Sequence, residues 1–254
     1  MASTPESDHE PETYYAGAYW GPRRESAEDC GLRTATLLNL LAESDPELAH
    51  WYKPTRSRKD ARKHPLMPPD SRVLAEQFRR GVNREGDGPV IEQLGFSFWF
   101  GNGGTVREGV DLRLICGDYS GANPNSCVMS LPGQGQNAER MVSASVLTQV
   151  VRSMASAWDA EWALATSWAH REMHVEDGEV GTFVGWVTYL SFRRGRVPPL
   201  PAPVRIEPVE DKGTLIILTP ERFTASNPEH VALAARVREL LDRAGLLKPL
   251  LPQP

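Results

Sequence analysis

Apolar positions along the chain follow two rhythms, and the switches between them mark the elements. Tyr14 to Trp20 is an aromatic-rich run closed by Gly21-Pro22, which predicts a short strand ended by a turn. From Ala27 the spacing becomes helical. Ala27, Cys30, Thr34, Leu37, Leu38 and Leu41 share one face, and Ser26 with Asp29 three residues on supplies a capping box, so a helix is expected over 27–42. Pro46 permits another helical start, and Pro54, Pro65, Pro68 and Pro69 cut the next stretch into short pieces. A further helix is expected over 71–80 with Val73, Leu74 and Phe78 inward.

Residues 94–131 read as a β-meander. Phe96, Phe98 and Phe100 alternate on one face, the Asn102-Gly103-Gly104 turn follows, Val110, Leu112 and Leu114 alternate on the return, and Cys127 to Leu131 gives a third strand. Met141, Ala144, Leu147, Val151, Met154 and Trp158 then predict one long amphipathic helix. Strands are expected over Trp162 to Ala169 and over Phe183 to Leu190, the latter apolar enough to be covered on both faces. A stiff Pro-rich connector fills 197–203, short strands follow near 204–207 and 214–218, and a last helix runs over 228–244 with Asn227 as N-cap, Pro228 as first residue and Gly245 as stop. The fold class is therefore α+β, a largely antiparallel sheet with packed helices, in a single domain over 13–247.

Composition narrows the class of protein. The 254 residues are 40% hydrophobic and 24% charged, which excludes collagen-like, coiled-coil and wholly disordered chains. Residues 1–12 carry four acids, no Lys or Arg and two prolines, so they are expected to form a disordered tail, with a second tail over 248–254. The N-terminus lacks a basic and apolar leader, and no apolar run reaches the ~20 residues of a membrane span. A cytoplasmic protein without a membrane partner is expected. Cys30, Cys116 and Cys127 lack C-x-x-C spacing and are expected to be reduced and buried.

Motifs for chemistry fail one by one. His170-Arg171-Glu172 matches half of a zinc-deaminase signature, but no P-C-x-x-C follows to complete the metal site. His170 and His174 stand four apart in the order H-R-E-M-H, and a surface pair of histidines is expected. Gly101-Asn102-Gly103-Gly104 leads into a strand rather than a helix N-terminus, so it reads as a hairpin turn and not a phosphate cradle. Ser120 lacks the glycine of a nucleophile elbow, and Cys30 lies on the apolar face of its helix. No catalytic, cofactor-binding or metal-ligating residue is assigned, and no cofactor or enzymatic activity is expected.

Charge placement remains. Asp159, Glu161, Glu172, Glu176, Asp177 and Glu179 face only Arg171 within 159–179, a run suited to a surface that opposes a basic cleft such as a nuclease active site. Conversely, residues 53–84 hold ten Lys or Arg against Asp60, Asp70 and Glu76. Lys53, Arg56, Arg58, Lys59, Arg62 and Lys63 would serve a nucleic-acid-binding module, the alternative reading, although the net charge of -5 argues against direct nucleic-acid binding.

Several stretches considered together resemble a known family. They are Tyr14 to Gly21 with Glu25 and Cys30; Leu94-Gly95-Phe96 leading to Asn102-Gly103-Gly104; Pro124-Asn125-Ser126-Cys127-Val128; Phe183 to Leu190; and Pro220-Glu221-Arg222-Phe223 with Asn227-Pro228-Glu229-His230. Their order over about residues 13–247 resembles the immunity protein 52 family of bacterial polymorphic toxin systems. The resemblance implies an α+β cytoplasmic antitoxin that binds and neutralises a cognate toxin. That toxin would be a nuclease domain of restriction-endonuclease-like fold, delivered by type VI or related contact-dependent secretion. It further implies that Tyr15, Tyr19, Trp20 and Trp186 hold the core or its rim, and that Gly17 and Gly185 admit large neighbours.

Overall fold

The protein was described from a computed structural model covering residues 11–55, 58–86, 88–174 and 179–251. Eight strands build one sheet: β1 (Tyr14–Trp20), β2 (Phe96–Gly101), β3 (Asp111–Cys116), β4 (Asn125–Ser130), β5 (Trp162–Ser167), β6 (Val187–Ser191), β7 (Arg205–Val209) and β8 (Gly213–Ile217). Their order is β2-β3-β4-β1-β5-β6-β8-β7, and every pairing is antiparallel. The helices are α1 (Ala27–Ser44), α2 (Arg58–Ala61), α3 (Ser71–Arg80), α4 (Gly135–Met141), α5 (Ala144–Trp158), α6 (Trp168–Glu172) and α7 (Pro228–Arg243). This is the α+β fold expected from the alternation of rhythms.

Register explains the packing. One transverse row runs Phe98, Leu114, Cys127, Ala18, Ala163, Tyr189, Leu215, and the next runs Phe100, Leu112, Met129, Ala16, Ala165, Val187, Ile217. All fourteen side chains are buried. Ala16, Ala18, Ala163 and Ala165 form a shallow patch at the centre, and α5 lies against β1, β5 and β6 there, with α1 packed between α5 and α3. Small residues let the helix backbone approach the sheet, while the larger side chains to either side fill the space where the layers diverge. Burying a Leu- or Phe-sized side chain contributes about 1.5–3 kcal/mol, so this front layer holds most of the stabilising area.

Caps fall where the sequence places them. Ser26 and Asp29 form the reciprocal capping box of α1, and Asn227 caps α7 with Pro228 at its first position. Elsewhere the boundaries move. The helix expected from Met141 to Trp158 is two helices, because Arg222 takes the carbonyls of Ala138 and Val142 (3.2 and 3.3 Å) at the break. The strand expected to Ala169 stops at Ser167, whose hydroxyl accepts from the His170 N–H (3.1 Å) and starts α6. The strand expected from Phe183 begins only at Val187. Val73 is 39% exposed rather than inward, since Leu74, Ala75 and Phe78 occupy the buried stripe of α3. The Asn102-Gly103-Gly104 turn is part of a longer loop, closed by Asn102 Oδ1 accepting from the N–H of Gly104 and Val110 (3.0 and 2.9 Å).

Glu12 and Leu250 are both hydrogen bonded to the body: Glu12 accepts from the Ala225 N–H (2.9 Å), and the Leu250 N–H donates to the Val180 carbonyl (3.0 Å). Among the described residues, no helix is long and apolar enough to cross a membrane.

Candidate functional site

The opposite face of the sheet differs from one half to the other. Its central row runs Trp99, Arg113, Val128, Gly17, Leu164, Thr188, Ile216, Ile206 from edge to edge. Leu164, Thr188 and Ile216 are fully buried, Val128 is half-buried, and Arg113 and Trp99 are exposed, the tryptophan at 54%. Among the described residues, therefore, no layer covers the back of β2 and β3 at this row, and β4 is covered only in part. Strand β3 records this directly, alternating exposed Asp111 and Arg113 with buried Leu112 and Leu114.

Cover on the other half includes α6 and the segment around Phe183, and α7 packs on that cover, with Arg238 3.5 Å from His174 and His230 stacked on Phe223 at 5.3 Å. Trp162 is sandwiched between Tyr19 and Phe183, with ring centroids 5.3 and 5.0 Å away. Tyr19 folds back across Gly17, where a Cβ would sit 2.7 Å from the phenol ring, so glycine is required for that close approach. Arg171 lies 4.8 Å over Phe183, and burial pushes the Tyr19 phenol up to about 12 despite the opposing pull of that guanidinium. Trp168 is stacked on Tyr15 at 4.3 Å yet remains 42% exposed, forming the border between the two halves.

The histidines are part of the cover. Contrary to the expected surface pair, His170 is fully buried, because the single turn of α6 points it at Phe223 (4.8 Å). Its Nδ1 meets the Thr166 hydroxyl at 3.1 Å and its Nε2 meets His174 Nε2 at 3.4 Å. Burial first, and the neighbouring His174 second, lower its pKa to about 4, so the imidazole is neutral near pH 7. Among the described residues no third His, Cys, Asp or Glu joins them in a group able to hold a metal.

The acidic run does not gather into one patch. Asp159 lies in the left-handed cap of α5 and pairs with Arg193 (3.3 Å), and Glu161 Oε1 accepts from the Gly21 N–H (3.0 Å). Both precede β5, whereas exposed Glu172 lies beyond its far end, separated by the length of a six-residue strand, about 20 Å. Glu179 is exposed, and Glu176 and Asp177 lie outside the described residues. The basic segment is likewise divided. Lys63 pairs with Asp60 at 2.8 Å, Arg79 pairs with Glu28 and Glu76, Lys53 borders a cleft beside Trp99, and Lys59 and Arg62 are exposed. Arg56 and the Arg58 side chain are outside the described residues.

Two clefts flank the bare sheet, one of about 260 Å³ beside Trp99 and one of about 300 Å³ beside Trp168. Val106, 91% exposed on the β2–β3 loop, borders both. Sequence reasoning missed Trp99, Val106 and Arg113. The available signal was a large aromatic at the off-phase position of an alternating strand, between Phe98 and Phe100 and opposite a charged residue.

The stretches that carry the family resemblance hold the fold. Tyr14 donates to the Phe223 carbonyl (2.6 Å), Trp186 Nε1 to the Thr219 carbonyl (2.8 Å), and Asn125 bonds both Asp118 and Gly21. Trp20 stacks on Trp158 at 4.9 Å, and Glu25 is buried between Arg23 (3.1 Å) and Arg33 (2.7 Å). All three cysteines are buried and unpaired.

Comparison with curated protein sequences finds no match. Among solved structures the fold is similar to one described as Pseudomonas aeruginosa T6SS protein PA0821, with a TM-score of 0.55 at 14% identity, over 98% of this chain and 78% of that one. A family sequence profile covers almost the whole folded body, taking in β1 through α7. It is the profile described as Immunity protein 52, matched over residues 12–250, and the chain belongs to that family.

Proposed function

We propose that this protein neutralises a cognate toxin by binding it, and that the toxin is a nuclease domain delivered by type VI or related secretion into the cytoplasm where this protein acts. The observation that carries the reading is the family match across residues 12–250, which brings with it a toxin partner. The likeness to a type VI secretion protein supports the delivery route. A sheet with one half bare, bordered by exposed tryptophans, suits action by occupying another protein's surface. With a net charge of -5, the protein attracts a basic nuclease over a Debye length of about 8 Å in physiological salt. Glu172 and Glu179 contribute to that steering, as would Glu176 and Asp177, while Asp159 and Glu161 are engaged within the fold.

Co-expression with the toxin domain encoded beside its gene tests this. Wild-type protein restores growth and forms a one-to-one complex that survives gel filtration. Growth arrest in the presence of well-expressed, folded protein would overturn it.

A further inference from the structure

We infer that the cognate toxin docks on the bare half-sheet, with Trp99 and Arg113 as its anchors. The inference rests on the immunity reading above and adds the surface and the chemistry of the contact. Trp, Arg and Met are the residue types that concentrate binding energy at protein interfaces. Here Trp99, Arg113, Trp168 and Met173 are exposed along and beside one sheet face, and Val106 projects from the loop between the two clefts. The back of β2, β3 and β4 measures roughly 15 by 20 Å, or about 300 Å², from strand spacing and rise. With the 102–110 loop and the exposed Trp168 side chain added, the surface extends towards the ~800 Å² per partner of a stable complex.

Charge selects the occupant. Among the described residues the Arg113 side chain makes no ion pair or hydrogen bond, while Glu108 accepts from the Thr105 hydroxyl (3.1 Å) and Asp111 has an interaction of its own. A second copy seated with Arg113 against Arg113 would bring two guanidiniums together as water leaves, a like-charge contact. A partner presenting an apolar surface with an acidic group opposite Arg113 meets no such penalty. Nucleic acid also likes a sheet face bearing an aromatic and an arginine. However, this face offers one exposed aromatic within the sheet, Tyr15 and Tyr19 being covered by Trp168 and Arg171, on a protein of net negative charge. Long-range attraction through net charge and short-range pairing at Arg113 are separate effects and need not share a sign.

The test uses the full chain and the toxin domain encoded beside it, with affinity and rates measured by surface plasmon resonance. Arg113→Glu should weaken binding at least 100-fold and Trp99→Thr at least 10-fold, mainly through faster dissociation, with unchanged circular dichroism and thermal melting. Glu172→Lys should slow association while leaving dissociation within about 2-fold. If wild type binds and rescues but both anchor variants match it, the docking face is elsewhere and the immunity role stands. If wild type fails to bind, both readings fall. A concentration-dependent dimer abolished by Arg113→Glu, or a single-stranded oligonucleotide gel shift abolished by Trp99→Thr, would assign the face to those occupants instead and overturn the proposal.

Discussion

The two halves of the sheet share one front layer and diverge only at the back. Behind β5, β6 and β8, every central-row residue is buried. Behind β2, β3 and β4, the same row emerges into solvent as Val128, Arg113 and Trp99. A strand covered on both faces is largely apolar with its polar groups hydrogen bonded, whereas a strand covered on one face alternates. Thus β6 is buried at all five positions and β3 alternates. The lesson is that both halves draw stability from the shared front layer, and only one adds a second covered face at the back. The covered half locks Tyr19, Trp162 and the histidines in place, and the bare half is left with side chains that nothing in the fold requires.

The strongest contrast is expected from two tryptophans. Trp162 is fully buried between Tyr19 and Phe183, and truncation to alanine leaves a cavity that these rings cannot fill. Trp162→Ala should cost about 3–5 kcal/mol, a large share of the stability of a typical domain. Urea denaturation followed by circular dichroism checks this. A loss below about 1 kcal/mol would show that the cover on β5 is loose and that the two halves differ less than their burial suggests.

The cover should also respond to acid, and the sign follows from His170. Its folded pKa lies near 4 against about 6.5 in the unfolded chain, so between those values the unfolded state binds the extra proton. Stability from the neutral, buried imidazole is complete above pH 6.5 and is lost as pH falls towards 4, by about 3 kcal/mol in all. Carboxylates titrate in the same window, so the informative quantity is the difference between wild type and His170→Gln across pH 4–7. That difference should shrink as pH falls, and parallel curves would mean that water reaches His170.

How much of this was legible in the sequence depended on whether a signal was local. The capping box at Ser26, the Asn227-Pro228 start of α7 and the alternation in β2 and β3 are short-range patterns, and all three were readable. The break between α4 and α5 at extended Ser143 was not, because the group that satisfies the carbonyl there, Arg222, is eighty residues away from Val142. His170 read as surface because its neighbours in sequence are charged, while the phenyl ring packed on it, Phe223, comes from a distant segment. The acidic set looked like one patch because six residues are close along a chain, yet an extended strand carries its ends apart faster than any other element. As for Trp99, four aromatics in Phe96-Ser97-Phe98-Trp99-Phe100 suggest core, and only the period-two phase separates the outward one from the rest.

The smallest stability effect is expected at that outward position. Trp99 stands on edge strand β2, directly opposite Arg113, and its ring meets no other aromatic ring among the described residues. Both ends of the edge are tied independently of the side chain, by the Tyr52 N–H donating to Gly101 (2.9 Å) and the Ser97 N–H donating to Gly81 (2.8 Å). Threonine is β-branched and suits a strand, so Trp99→Thr forfeits the cross-strand contact with Arg113 and the shielded part of the ring, offset in part by strand preference. A stability within about 1 kcal/mol of wild type is the expected result. Paired with a clear loss of toxin binding, it would mean that the ring is kept for a partner, since the fold does not need it. A destabilisation above about 2 kcal/mol would instead place Trp99 among the structural aromatics, and the division between a covered half and a bare half would then have to be redrawn one strand further in.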